Sequence, residues 1–312
     1  MSSTMTDARQ TDDNLIPAGV RERISTYHEA GADWLERLPE LVARCVSTWD
    51  LVVLPAFEPG GDSSWVAPVR RGQGDLAVLK ITVPTAVRDD PATPLGIWAG
   101  RGAVRLYAHD TSIGASLLEY CVPGTDAADL PRDAADDVAV EVLEQLWQAD
   151  LPSDAPIEPL TNICALRIRA LERRADQYAG DTEDVGGQVD VGPFREAARL
   201  FASLPGSTDR QVLLHGDFHR RNVISSARGW LAIDPVGRRG DPGFDVAAFL
   251  QHDANRPDLR ARADGLADRL GLDAERTRHW LFAFVTQAAS WHLSIGDYAT
   301  YATFSQGAST LT

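Results

Sequence analysis

The chain has 312 residues, 44% of them hydrophobic, and a formal net charge of −15 at pH 7. That length holds one large domain or two lobes. The acidity argues against a duplex nucleic acid partner, whose phosphates call for a basic face; it serves solubility, or would draw a small cationic ligand.

In chain order, the polar opening MSSTMTDARQTDDN has no apolar signal core and reads, through residue 17, as a flexible tail. Residues 18–45 read as helix, with Trp34, Leu35, Leu38, Leu41 and Val42 at spacings of three and four. WDLVVLPAF (49–57) turns to strand character, EPGGDSSW (58–65) is a turn cluster, and WVAPVRR and DLAVLKIT are strands joined at GQG. RGAVRLYAHD (101–110) and GASLLEYC (114–121) add two more, making a five-stranded antiparallel sheet. After VPGTD the character changes. Helices are expected over 134–149, 160–178 and 194–204, with a solvated loop, AGDTEDVGGQVDVG, before the last of them. QVLLH and WLAID are short strands, and 256–294 is helical again. The expected class is therefore α+β: a β-rich lobe over 18–120 and a larger, mainly helical lobe over 121–312. No apolar run reaches the ~18–20 residues of a membrane span. Cys45, Cys121 and Cys164 are odd in number and form no CxxC pair, which points to reduced thiols in a cytoplasm.

Of the 30 basic residues, Lys80 is the single lysine. A chain that otherwise uses arginine, yet keeps one lysine within an apolar strand, points to a task for a compact ammonium rather than a planar fork.

The densest polar stretch is LHGDFHRRN (214–222). As a zinc site it would use His215, Asp217 and His219, but no second histidine-rich motif supplies further ligands. As a phosphoryl-transfer loop it explains more. That chemistry needs a base or orienter at the attacking hydroxyl, oxygen ligands for Mg²⁺, a lysine on the nucleotide phosphates and a glycine turn over them. Asp217 and Asn222 fit the first two roles. The hairpin NVISSARGWLAID returns Asp234 to the same point, and Lys80 follows the Gly60–Gly61 turn.

HGDFHRRN resembles the HGDxxxxN loop of the aminoglycoside phosphotransferase branch of the protein-kinase-like fold, and AIDPVG resembles its metal-binding segment. With PGGDSSWVAPVRR, AVLK, WAGRGAVRLYAHD, LLEYCVPGT, GWLAIDPVGRRGDPGFDVA and LADRLGLDAERTRHWLFAF, the chain is similar to the streptomycin 6-phosphotransferase and hydroxyurea kinase family over about residues 30–295. The resemblance implies a two-lobed small-molecule kinase using ATP, with GTP as the alternative, and Mg²⁺. Asp217 would orient or deprotonate the acceptor hydroxyl, Asn222 and Asp234 would hold Mg²⁺, and Lys80 the phosphates. The backbone of Gly60, Gly61, Ser63 and Ser64 would cover the phosphates, and Glu119, Tyr120, Cys121 and Val122 would form the hinge that meets adenine. The N-lobe would then bind nucleotide, and the C-lobe would carry the catalytic loop and the acceptor helices. The acceptor would be a cationic or hydroxylated small molecule, streptomycin-like first, in a cytoplasmic monomer or small homo-oligomer with no nucleic acid or membrane partner.

Several readings stand beside these. Asp245 either braces the catalytic loop, as the resemblance implies, or caps the helix begun by FDVAAFL. His215 reads as structural, bonded to loop backbone. His219, Arg220 and Arg221 read as a solvated face, with one arginine near phosphate as the alternative. Trp280, Trp291 and Tyr298 are expected in the core. The family carries a glutamate for the lysine in E-x-x-x-L-x-x-W; counted back from Trp98 that position is Pro91, with Asp89 and Asp90 adjacent, and two prolines within four residues argue against a helix there. That departure admits a second function, a nucleotide-binding pseudokinase or ligand-sequestering protein, besides a kinase for hydroxyurea or another metabolite.

Overall fold

The computed structural model describes residues 15–312 except 59, 73, 85–90 and 183–186. The chain divides into two compact units, one comprising Met1–Gly100 and Val104–Gly124, the other Arg101–Ala103 and Thr125–Thr312. The tail expected over 1–17 lies outside the described residues as far as residue 14; beyond it Ile16 is buried and Leu15 O accepts from Trp65 Nε1 at 2.7 Å.

The N-terminal unit is built on a five-stranded antiparallel sheet of β1 (Leu51–Val53), β2 (Ser64–Arg71), β3 (Leu76–Thr82), β4 (Leu106–Asp110) and β5 (Ala115–Glu119), in the order β1-β2-β3-β5-β4. Strand side chains alternate between faces. Ala77, Leu79 and Ile81 of β3 therefore join Trp65, Ala67, Val69, Ala115 and Leu117 in one core. Helices α1 (Ala18–Tyr27) and α2 (Gly31–Trp49) cover that face through Val20, Ile24, Trp34, Leu35, Leu38, Leu41 and Val42.

The helix expected over 18–45 is thus two helices. His28 is extended at the end of α1 (φ −125°, ψ 120°), and Gly31 N donates to His28 O at 2.9 Å. The helices meet so closely that a Cβ on Gly31 would stand 2.3 Å from Ile24 O. The periodicity is common to both halves, so it gave no sign of the break.

A second difference lies at α3 (Ala92–Trp98), a helix where two prolines had argued against one. Pro91 is its N-cap and Pro94 its third residue, and Leu95 N donates to Pro91 O at 3.2 Å. First-turn amides have no intrahelical acceptor, so proline removes nothing there. Asp89 and Asp90 lie outside the described residues.

The C-terminal unit is mainly helical: α4 (Arg132–Trp147), α5 (Leu160–Gln177), α6 (Gly192–Ser203), α7 (Gly243–Leu250), α8 (Leu259–Arg269), α9 (Ala274–Ser294) and α10 (Tyr298–Ser309). The loop expected at 179–192 carries a two-residue ladder, Asp181–Thr182 against Gly187–Gln188. Phe201, Phe244, Trp280 and Phe284 pack as a ring cluster with centroids 4.7–6.0 Å apart. Trp280 is in the core as expected, whereas Trp291 is 48% and Tyr298 39% exposed. The buried stripe Thr286, Ala289, Ser290 and Leu293 turns Trp291 outward, and Tyr298 opens α10 at a helix end. Among the described residues no helix is long and apolar enough to cross a membrane.

Replacing Gly31 by alanine pushes a methyl group into the backbone of α1. Overpacking of this kind costs about 1–3 kcal/mol. The Gly31→Ala protein is expected to unfold at lower denaturant with an unchanged slope, read by tryptophan fluorescence.

Candidate active site

The polar residues of the 214–222 stretch are placed by two short antiparallel pairs in the C-terminal unit. β6 (Val212–Leu214) pairs with β9 (Arg238–Gly240), and β7 (Val223–Ser226) with β8 (Gly229–Ala232). The second pair is the expected hairpin: Ala232 faces Val223, and Ile233 N donates to Asn222 O at 2.9 Å. Asp234 follows immediately, at φ 60°, a left-handed conformation that aspartate tolerates better than most residues. Asn222 and Asp234 are therefore brought to one end of the hairpin.

Asp217 stands at the exit of β6, after Gly216 at φ 84°. A Cβ on Gly216 would lie 3.2 Å from Val236 Cβ, so glycine suits both the backbone angle and the space. Asn222 Nδ2 donates to Asp217 O at 3.0 Å and approaches Asp217 Oδ2 at 3.4 Å. With its nitrogen engaged, the amide of Asn222 keeps its oxygen for another partner. An amide oxygen beside an aspartate is a hard oxygen donor set. It suits Mg²⁺, which takes one or two protein oxygens and completes its shell with water and phosphate.

His215 is fully buried, and burial lowers its pKa, so the ring is neutral. Nε2 lies 2.8 Å from Ile233 O and Nδ1 accepts from Asp217 N at 3.3 Å, which assigns the proton to Nε2. The ring is structural, bonded to loop backbone as expected. His219 Nε2 comes within 3.6 Å of Asp217 Oδ2. The Asp217 side chain is 52% exposed. Desolvation pushes its carboxyl up, but His219, with His215 and His252 behind it, outweighs that and leaves it below its ordinary value. Asp217 is thus an ionised hydrogen-bond acceptor at neutral pH.

Arg220 is no part of a solvated face. Its Nη2 lies 2.6 Å from Asp253 Oδ2, and its guanidinium sits 5.5 Å over the Phe249 ring. Arg221 is exposed. Asp245 does not cap its helix, because α7 begins at Gly243 behind Pro242. Fully buried, it accepts from His215 N at 2.9 Å, Gly216 N at 3.0 Å and Trp147 Nε1 at 3.5 Å.

Sequence patterns gave no sign of Arg167. On α5 its guanidinium lies 4.3 Å over the Phe284 ring and bonds Gln287. Burial brings it down to about 10, with Cys164 and Asp217 partly opposing. A buried arginine among aromatic rings has no local spacing signature.

In the N-terminal unit Lys80 lies on β3 between Val66 and Ser116, on the sheet face opposite the helix-covered core, and is nonetheless buried. Gly60, at φ 75°, packs against Val20, and Arg23 reaches from α1 to Gly60 O at 3.3 Å and to Asp62 Oδ1 at 3.0 Å. Ser63 O accepts from Val83 N at 2.9 Å, and Ser64, buried, opens β2. Glu119 ends β5 with its carboxylate on Arg105 N at 3.0 Å; Tyr120 and Cys121 follow, then Val122, whose side chain is exposed.

The family model described as aminoglycoside/hydroxyurea antibiotic resistance kinase matches residues 49–296. Over 294 residues the chain is 33% identical to a streptomycin 6-kinase of Streptomyces griseus, covering 90% of this chain and 92% of that protein. Over 293 residues it is 34% identical to a hydroxyurea phosphotransferase of Kitasatospora aureofaciens, covering 91% and 82%. Among solved structures, a choline kinase of Streptococcus pneumoniae matches with a TM-score of 0.61 at 15% identity, covering 88% of this chain and 99% of that one. That likeness is one of fold, and it bears out the protein-kinase-like architecture.

Asp245 also carries a pH signature. Desolvation raises its carboxyl from 3.8 to about 6, against the lowering effect of the two loop amides. The folded chain therefore holds this proton more tightly than the unfolded one. The resulting stability is complete below about pH 4 and is lost as pH rises through 6. Denaturation midpoints measured from pH 4 to 7 should carry this component in the wild type and lose it in Asp245→Asn. The variant should also be less stable by about 1–3 kcal/mol, the cost of a poorly satisfied buried amide.

Proposed function

The chain belongs to the aminoglycoside/hydroxyurea antibiotic resistance kinase family, and we propose that it transfers the γ-phosphoryl group of ATP to a hydroxyl of a streptomycin-like aminoglycoside. The observation that carries this reading is the loop in which an ionised Asp217 bonds Asn222 while the hairpin returns Asp234 beside them.

In this reading the acceptor hydroxyl hydrogen-bonds to Asp217. Its oxygen attacks the γ-phosphorus, the bond from that phosphorus to the ADP oxygen breaks, and the hydroxyl proton passes to the Asp217 carboxylate. Phosphoryl transfer proceeds through a loose transition state, so most of the demand on the protein is positioning and charge. The bonds from Asn222 and His215 to the Asp217 backbone and side chain serve that positioning. Asn222 Oδ1 and the Asp234 carboxylate would hold Mg²⁺, which when bound offsets charge on the phosphate oxygens. Lys80 would place its ammonium on the nucleotide phosphates under the backbone of Gly60, Gly61, Ser63 and Ser64. Backbone groups of Glu119, Tyr120, Cys121 and Val122 would meet the adenine.

Hydroxyurea is the second acceptor, favoured by 34% identity to a hydroxyurea phosphotransferase over 293 residues. The net charge of −15 favours the cationic aminoglycoside over the neutral one.

Mg²⁺-dependent nucleotide turnover with streptomycin, with hydroxyurea and with neither decides among these. Streptomycin should stimulate turnover in the wild type, and Asp217→Ala should lower kcat by roughly 10²–10⁴-fold. Stimulation by hydroxyurea alone would reassign the acceptor. Nucleotide binding that no acceptor converts to turnover would favour the sequestering alternative, and absence of nucleotide binding would overturn the kinase reading.

A further inference from the structure

One continuous segment runs alongside the 215–220 loop and touches it nearly residue by residue. Asp245 on α7 accepts from His215 N and Gly216 N at 2.9 and 3.0 Å. Phe249, one turn on, meets the Phe218 ring at a centroid distance of 5.7 Å. His252 meets His219 edge-on at 6.1 Å, and Asp253 binds Arg220 at 2.6 Å. The first of these contacts works through the backbone and holds the start of the loop. The last works through a side chain and holds the far end, two residues before Asn222.

That last contact is embedded in an ion network. Asp253 Oδ2 accepts from Arg220 Nη2 at 2.6 Å and from Arg262 Nη1 at 2.7 Å, and Oδ1 from Arg132 Nε at 3.1 Å. Arg262 on α8 also grips Asp136 on α4, with Nε to Oδ2 at 2.9 Å and Nη2 to Oδ1 at 2.6 Å. Asp253 and Asp136 are both buried. Only arginine forks satisfy carboxylates in this two-sided way. Asp253 is thereby fixed by two helices of the unit, and it passes that fixed position to the loop through a single guanidinium.

We infer that Asp253 is a positioning residue of the phosphoryl-transfer site, acting through Arg220 to hold the loop that carries Asp217 and Asn222. The inference rests on the kinase reading above. Freed of Asp253, Arg220 is a partly buried cation without its carboxylate and must move toward water, pulling the 220–222 turn with it. A displacement near 1 Å at reacting groups costs about 10²-fold in rate.

Four variants test this with the full-length protein: Arg220→Met, Asp253→Asn, the double variant, and Arg132→Met. Arg132 binds only the other oxygen of Asp253, so its removal leaves the Arg220 contact in place. Arg220→Met, Asp253→Asn and their combination should each lower kcat by roughly 10- to 100-fold, with the double variant no worse than the singles and KM for streptomycin little changed. Arg132→Met should keep kcat within about twofold, although it removes a bond to the same buried carboxylate and lowers stability. Unchanged kcat in a folded Asp253→Asn protein, or multiplicative losses in the double variant, would overturn the inference. So would an equal kcat loss in Arg132→Met, which would mark the network as merely structural. Amide hydrogen exchange reads the same positioning without turnover. Asp253→Asn should speed exchange at 216–222 while α9 stays protected, and unaltered exchange there overturns the inference. A wild type inactive with every acceptor, but with exchange altered as expected in Asp253→Asn, would place the failure in the kinase reading instead.

Discussion

The C-terminal unit turns on the two hydrogen bonds by which the Asp245 carboxylate receives the amides of His215 and Gly216. At the exit of β6 the chain must leave a ladder, pass through a left-handed glycine and present Asp217 outward. Both amides are met there by the carboxylate oxygens of Asp245. An unpaired buried amide costs as much as a whole hydrogen bond is worth, or more. Placing a carboxylate there instead has its own cost, visible as the upward displacement of its pKa. The same bonds place His215, whose imidazole then ties Ile233 O and Asp217 N. One buried acceptor therefore fixes the geometry between the loop and the hairpin that returns to Asp234.

The N-terminal unit solves a different problem. Its sheet has one face sealed by α1 and α2, so one set of alternating residues is apolar and the other is released for polar work. Lys80 belongs to the released set, and the strand pattern alone puts it there. Gly60 is bound into the same arrangement from the other side, since Val20 and Arg23 of α1 touch the turn directly. The helix that seals the core also shapes the glycine turn.

Much of this was legible in the sequence because the signals are local. Apolar, strand-like runs bounded by turn residues located all five strands of the sheet. The thirteen residues of NVISSARGWLAID specify a hairpin through their turn residues and apolar flanks. What escaped was determined by contacts distant in sequence. The break between α1 and α2 follows from Gly31 meeting the backbone of Ile24, and no periodicity records that approach. Pro91 and Pro94 would break a helix only beyond its first turn, and the sequence does not show that the turn begins at Ala92. Arg220 resembled a solvated residue because Asp253 lies 33 positions away. Trp291 is expected in the core as an aromatic residue, yet only the neighbours of a helix decide which of its faces is inside, and this ring is exposed. The family resemblance, in contrast, rests on short motifs in a fixed order, and matching residues 49–296 requires no knowledge of packing.

Arginine and lysine do different work in this chain. Arg262 binds two carboxylates at once, Arg276 reaches Asp241 and the carbonyl of Leu204, and Arg220 combines an ion pair with a ring face. Each of these tasks uses the width or planarity of the guanidinium. Lys80 is placed otherwise, flanked across the ladder by Val66 and by Ser116, which is buried. The Lys80 ammonium is a compact charge with three donors, where a guanidinium is a wide planar fork. In a chain with 29 arginines, the single lysine stands on the sheet face opposite the helix-covered core. Composition and strand geometry thus reach the same residue by independent routes.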